Sequence, residues 1–249
     1  MPERDYPDHR RVLALLWRAT DDPAPRSGLT VGGIVETAVV LADEAGLNGV
    51  SMRRLAERLG VGTMSLYTYV SSKAELVPVM LDSTYGELAR IAPPERGWRA
   101  RLESIAHGYW DLFQRHPWMV EVPVSRPLPG PNTVDRQEAE LEALDGVGLD
   151  ELEMNSTLEL VRNHAGSAAR RAMEISYDIE RSGVSDDQWW YAVEPLFTSY
   201  LAGRYLPLSA RVGQAIGAPH SDPRYDFEFG LARILDGLEG MLASRARVE

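Results

Sequence analysis

Cysteine is absent from this 249-residue chain, which removes disulfides, thiolate nucleophiles and thiolate metal sites, and fits a reducing compartment. Lysine is nearly absent as well: Lys73 stands alone and every other basic side chain is arginine, a bias that by itself implies no chemistry. Long apolar runs are missing too. No stretch of about 18 uncharged apolar residues occurs, and the N-terminus has no apolar signal core followed by small residues, so no membrane span or secretion is expected and the cytoplasm is the default. The sequence also lacks alternating strand patterns, internal repeats and low-complexity runs. Catalytic signatures are wanting: there is no H-E-x-x-H, phosphate loop, nucleophile elbow or dinucleotide fingerprint, and five histidines are scattered. Glu138, Glu140 and Glu142 read as one solvated helix face. The chain is therefore not expected to be an enzyme, nor to need a cofactor or a metal.

What is present suffices for a folded protein, since 44% apolar residues can build real cores. A net charge of -11 argues at first against nucleic acid, because phosphate contacts need basic groups. Its distribution reverses that argument. Residues 1–75 hold 9 basic and 10 acidic side chains, leaving 17 basic and 27 acidic for residues 76–249. A near-neutral first part can gather its arginines on one face while the acidic remainder points away from phosphates.

The helical period divides the chain into segments. His9 to Arg18 is amphipathic and reads as a solvated extension. A Pro- and Asp-rich linker follows over 21–28, and Arg26 within it could add a minor-groove contact. Thr30 caps a helix that ends at Gly46, with Leu29 placed to pack on Ile34. Ser51 opens a second, 51–59, and a third covers 63–70. Ser72 and Glu75 fit a capping box for a fourth that runs towards Ala89, with a bend at Pro78. Further helices are expected over 98–115, 133–144, 150–182, from Ser185 onward and over 225–247, with an irregular stretch after Pro207. The fold class is all-α: a helix-turn-helix three-helix domain over 29–75, preceded by an extension and linker over 1–28, and a larger helical domain over 76–249.

Residues 51–70 carry the strongest signal. Two short helices crossing steeply need a small residue at their contact and a residue that takes positive φ in the turn; Ala56 and Gly60 meet both needs. Val50, Leu55, Leu59, Val61, Leu66 and Val70 supply the shared core. Thr63, Ser65, Tyr67 and Tyr69 on the second helix, with Arg53 and Arg54 on the first, suit phosphates and base edges. Lys73 adds charge at a helix N-terminus. Such helix pairs also serve as plain packing corners, so geometry alone leaves DNA binding open.

The run VSMRRLAERLGVGTMSLYTYVSSKAEL from Val50, preceded by IVETAVVLADEAG from Ile34, resembles the DNA-binding domain of TetR-family repressors over residues 30–76. The later half is more loosely similar to the tetracycline-repressor subgroup through Trp98, His116, Arg126–Pro127 and FEFGLARILDGLEGML from Phe227. The resemblance implies that Arg53 reaches a base or phosphate, that Thr63, Met64, Ser65 and Thr68 face the major groove, and that Tyr67, Tyr69 and Lys73 hold the backbone. It implies a homodimer joined by the last helix and the long helix after Asp150, bound to a palindromic double-stranded operator. It also implies a small-molecule inducer held among Ile105, Tyr109, Trp110, Phe113, Trp118, Met119, Glu140, Leu158, Val161 and His164. Where the tetracycline repressor uses histidines this chain has Ala89 and Pro123, so a magnesium-chelated tetracycline is not expected. A ligand-sequestering helical protein without DNA binding stays open, and salt-dependent binding to a palindrome separates the two.

Overall fold

The computed structural model describes residues 8–18, 29–88, 91–122, 129–201, 203–217 and 222–247. Arg26, Ala89, Pro123 and Arg126–Pro127 lie outside them. The described residues contain helices and no strand. α1 (His9–Arg18), α2 (Val31–Gly49), α3 (Met52–Leu59), α4 (Thr63–Tyr67) and α5 (Lys73–Tyr85) come first. α6 (Gly97–Arg115), α7 (Pro131–Leu141), α8 (Glu151–Ser182), α9 (Asp186–Leu201), α10 (Pro207–Ile216) and α11 (Pro223–Arg245) follow, with short 3-10 turns at Pro94–Arg96 and Pro117–Glu121.

Local chemistry accounts for most of the boundaries. Thr30 Oγ1 accepts from Gly33 N at 3.0 Å, and Leu29 and Ile34 are both buried beside it. Gly46 takes φ 66°, which breaks α2 before one further turn. Asp150 caps α8 with a complete capping box, its side chain accepting from Glu153 N while Glu153 accepts from Asp150 N. The box at α5 is only half formed. Ser72 Oγ accepts from Glu75 N, but the Glu75 carboxylate turns to Ser71 N and Arg11 instead.

Several sequence expectations about the helices need correction. His9–Arg18 is no solvated extension: Val12, Leu15 and Leu16 are buried against α5, worth about 1.5–3 kcal/mol for each leucine removed from water. The stretch after Pro207 is helical rather than irregular, because proline at a first helical position gives up only an N–H that no helix would use. α4 ends at Tyr67 and α5 at Tyr85, shorter than their periodicity suggests.

Two cores result. The first joins α1 to α5 with Leu112, Trp118 and Met119. The second joins α6, α8 and α11 with Ala143 and Leu144. α5 serves both: Leu76, Val79, Met80 and Leu81 lie in the first, and Tyr85 packs against each. Asp82 ties it to α7. The buried Asp82 carboxylate accepts from Thr133 N at 2.8 Å, Thr133 Oγ1 at 2.6 Å and Asn132 Nδ2 at 3.2 Å, so it caps the N-terminus of α7 from another helix. Gly130 is required there, since a Cβ would stand 2.3 Å from that carboxyl group.

Glu153 also pairs with Arg245, closing α8 on α11. The Arg245 hydrogen bonds and the Asp150 amide pull its carboxyl pKa down to about 2. A pKa lowered by folding stabilises above the ordinary carboxylate range and ceases to do so as pH falls towards 2. Glu153→Gln is thus expected to lower Tm modestly at pH 7, with the gap to wild type narrowing at pH 3; an equal gap at both values contradicts the pairing.

Candidate nucleic-acid interface and ligand-binding core

α3, the Gly60 turn and α4 form the helix-turn-helix. Ser51 Oγ accepts from Arg54 N at 3.3 Å and starts α3. Gly60 ends it in the left-handed region, φ 67° and ψ 28°, where an L side chain would be strained. Leu55, Ala56, Leu66 and Val70 form the underside, each at most 2% exposed. With Leu66 fixed inward, its neighbours turn outward. Met64 is 79% exposed, and Ser65, Tyr67 and Thr68 are exposed beside it, while Thr63 and Tyr69 are half-buried at the edges.

The cations divide into committed and available groups. Arg54 donates to Gly49 O at 2.9 Å, and Arg58 grips Glu44 through two bonds of 2.7 and 3.1 Å, so both brace α3 against α2. The Arg58 hydrogen bond holds the Glu44 carboxyl below the ordinary carboxylate range. Arg53 is largely exposed and, among the described residues, meets only Glu57 on its own helix, at 3.7 Å. Lys73, half-buried, donates to Leu47 O at the end of α2. An ammonium carries three donors, so two remain for a phosphate.

In the larger core Ile105, Tyr109, Trp110, Leu158 and Val161 come together. Phe113 lies between the cores, whereas Trp118 and Met119 belong with the first, away from the others. His164 bonds Phe227 O at 2.8 Å and stacks on the Phe227 ring at 5.6 Å. Glu140, expected on a solvated helix face with Glu138 and Glu142, is instead fully buried, between Arg136 at 2.5 Å and Arg162 at 2.5 and 2.8 Å, because two guanidinium groups take the place of water around its charge. Burial pushes the nearby Tyr109 phenol well up, with the Glu140 charge adding and Arg162 opposing, so the hydroxyl stays protonated. Arg136 and Arg162 escaped the sequence reading, and Phe227, read there only as the start of the last helix's apolar run, packs on Trp110 and His164. Arg136, four residues before Glu140, was legible as a helical ion pair; Arg162 lies on another helix and left no local trace.

An open cleft of about 490 Å³ runs between the end of α5, the start of α6 and α7, lined by Tyr85, Leu88, Arg101, Asn132, Arg136 and Glu142 among others. It shares a wall with the expected pocket. Tyr85 meets the Tyr109 ring edge-on at 6.3 Å, and the Arg136 guanidinium lies 5.8 Å from the same ring. Among the described residues no cluster of three or more His, Asp or Glu suits a metal ion, and no helix is long and apolar enough to cross a membrane.

The later helices leave apolar surface uncovered. α9 and α10 have no buried residue, and Leu196, Tyr200 and Leu208 are 63, 82 and 65% exposed. On α11, by contrast, Phe227, Leu231, Leu235 and Leu238 are buried within the chain's own core, so less of that helix is free than its composition suggests. Phe229 of α11 and Leu160 of α8 stay open, at 54 and 53%.

A short helix pair with a buried underside and an outer face rich in hydroxyls, mounted on a larger helical core, has the form of a helix-turn-helix module. Residues 34–80 match the family "Bacterial regulatory proteins, tetR family", and residues 92–242 match "Tetracyclin repressor-like, C-terminal domain"; the chain belongs to the TetR family. It is 39% identical over 241 residues to the HTH-type transcriptional repressor DrrR1 of Streptomyces coeruleorubidus, spanning 96% of this chain and 88% of that protein. Against the class A tetracycline repressor from Escherichia coli it is 28% identical over 214 residues, 82% of this chain and 88% of the other. The crystal structure of apo ActR from Streptomyces coelicolor superimposes with a TM-score of 0.66 at 26% identity, covering 86% of this chain and 98% of that one. The same protein has been solved in complex with actinorhodin, which aligns at a TM-score of 0.64.

Proposed function

We propose that the protein is a homodimeric repressor that binds a palindromic operator through α4 and leaves it when a small molecule occupies the larger core. One observation carries the DNA reading: Leu66 is buried while Met64, Ser65 and Tyr67 on the same short helix, and Thr68 at its end, are exposed, so α4 offers hydroxyls and an apolar tip to a groove. A single α4 reads too few bases for selectivity, and two copies about 34–36 Å apart would read consecutive turns. The uncovered apolar faces of α8, α9 and α11 support pairing between copies, and operator binding places the protein with the bacterial chromosome in the cytoplasm. Thr63 and Arg53 flank the base-reading face, and Tyr67, Tyr69 and Lys73 would anchor phosphates.

For the inducer, the ActR complex with actinorhodin supports a small organic ligand. Its entry fits the cleft bounded by Tyr85 and Arg136, with Tyr109, Trp110 and Phe113 behind that wall and Ile105, Leu158, Val161, Glu140 and His164 forming its support. Trp118 and Met119 would act at the domain junction rather than on the ligand.

The test is selection of DNA from a random pool by the purified protein, followed by affinity against salt. A palindrome bound with a steep salt slope supports the reading, and binding that ignores sequence and salt overturns it. Arg53→Ala is expected to weaken binding to all sequences and reduce the salt slope by about 1, whereas Ser65→Ala should relax preference at one position per half-site at a cost of about 1–3 kcal/mol.

A further inference from the structure

One imidazole joins three parts of the molecule. His116, at the end of α6, has 9% of its side chain exposed. Its Nδ1 lies 2.8 Å from Asp43 Oδ1 on α2, and its Nε2 lies 3.0 Å from Glu87 Oε2 just past α5. A carboxylate only accepts, so the ring makes both bonds when both nitrogens carry hydrogen. Trp118 Nε1 donates to the same Asp43 oxygen at 2.9 Å, and Arg115 grips Glu87. Partial burial would raise the Glu87 pKa, but His116 and Arg115 outweigh it and hold that carboxyl below the ordinary range. The turn that carries Trp118 is fastened to α8 by Arg170, which donates to Val120 O.

The neighbouring residue on α2 completes the path. Asp43 holds His116 and Trp118 on the chain leaving α6, and Glu44 holds Arg58 of α3. Two consecutive carboxylates thus fasten α2 to the core on one side and to the reading unit on the other. α2 cannot turn on the core without breaking the first pair, nor leave α3 behind without breaking the second.

We propose that His116 is a positioning residue: clamped by Asp43 and Glu87, it fixes the angle of the helix-turn-helix on the core and so sets the half-site spacing that the dimer accepts. This rests on the dimeric operator-binding reading above. The bland alternative is a satisfied core histidine that contributes stability alone.

The experiment uses the full-length chain, the selected operator, the same duplex with two base pairs inserted at its centre, and a single half-site. The insertion moves the half-sites apart by about 7 Å. Wild type is expected to bind the inserted duplex at least about tenfold more weakly than the operator, and His116→Phe to shrink that ratio below about threefold with half-site affinity unchanged. His116→Phe keeps the ring, and each carboxylate retains a second donor in Trp118 or Arg115. Asp43→Leu should behave like His116→Phe, while Asp43→Asn, whose Oδ1 still accepts both N–H groups, should restore discrimination. If Tm falls in His116→Phe and Asp43→Leu but the ratio stays at the wild-type value, His116 is only structural and the proposal is overturned. Wild type that binds the half-site but discriminates no spacing also overturns it. Wild type that binds none of the three duplexes removes the operator reading itself, and this proposal with it.

Discussion

Glu140→Ala is expected to destabilise the larger domain by about 3–5 kcal/mol, the usual cost of removing one partner from a buried ion pair. The carboxylate has no solvent contact and lies between two guanidinium groups, so its loss leaves Arg136 and Arg162 facing each other in the interior without the charge that separates them. Arg162 retains Glu159 at 3.0 Å, but that carboxylate is half exposed and screened. Replacing the trio together, as Glu140→Leu, Arg136→Leu and Arg162→Met, should recover most of the loss, because the desolvation cost leaves with the charges. Thermal and urea unfolding read both results. Equal destabilisation by the single and triple substitutions would show that shape rather than charge decides this site.

Leu66→Ala is the second large effect. Leu66 is fully buried, and α4 is only five residues long, too short to persist without the side chain that anchors it. The cavity should cost about 2–5 kcal/mol, concentrated in α3 and α4 because Leu66 belongs to the first core alone. Operator affinity should fall at least about tenfold, with amide exchange accelerated over residues 52–70 and unchanged in α8 and α11. Uniform acceleration along the chain would mean that the two cores unfold as one.

Capping and turn chemistry made the reading unit legible from sequence. Ser51, Gly60 and Ser72 act on backbone groups within four residues of themselves, and the structure places the ends they mark where their chemistry requires. Leu66 and Val70 followed from the helical period. Pairings that depend on distant elements left no such mark: Asp82 on α7, Asp43 on His116, Glu140 on Arg162. Trp118 and Met119 illustrate the same limit. Their apolar character announced burial, yet which of two cores they join is set by the path of the chain after His116. The first helix misled for a related reason, since an amphipathic decapeptide reads alike whether its apolar stripe meets a partner or not.

The Asp82 cap gives α5 and α7 a common fate. Because the carboxylate of one closes the end of the other, a tilt of α5 should be felt at the start of α7, where Asn132 and Arg136 border the cleft. Under the proposed function, the doorway and the reading head would be two ends of one crank. If the protein binds an operator as proposed, free-energy linkage makes this reciprocal: whatever factor a molecule in the cleft takes from DNA affinity, DNA should take from the affinity for that molecule.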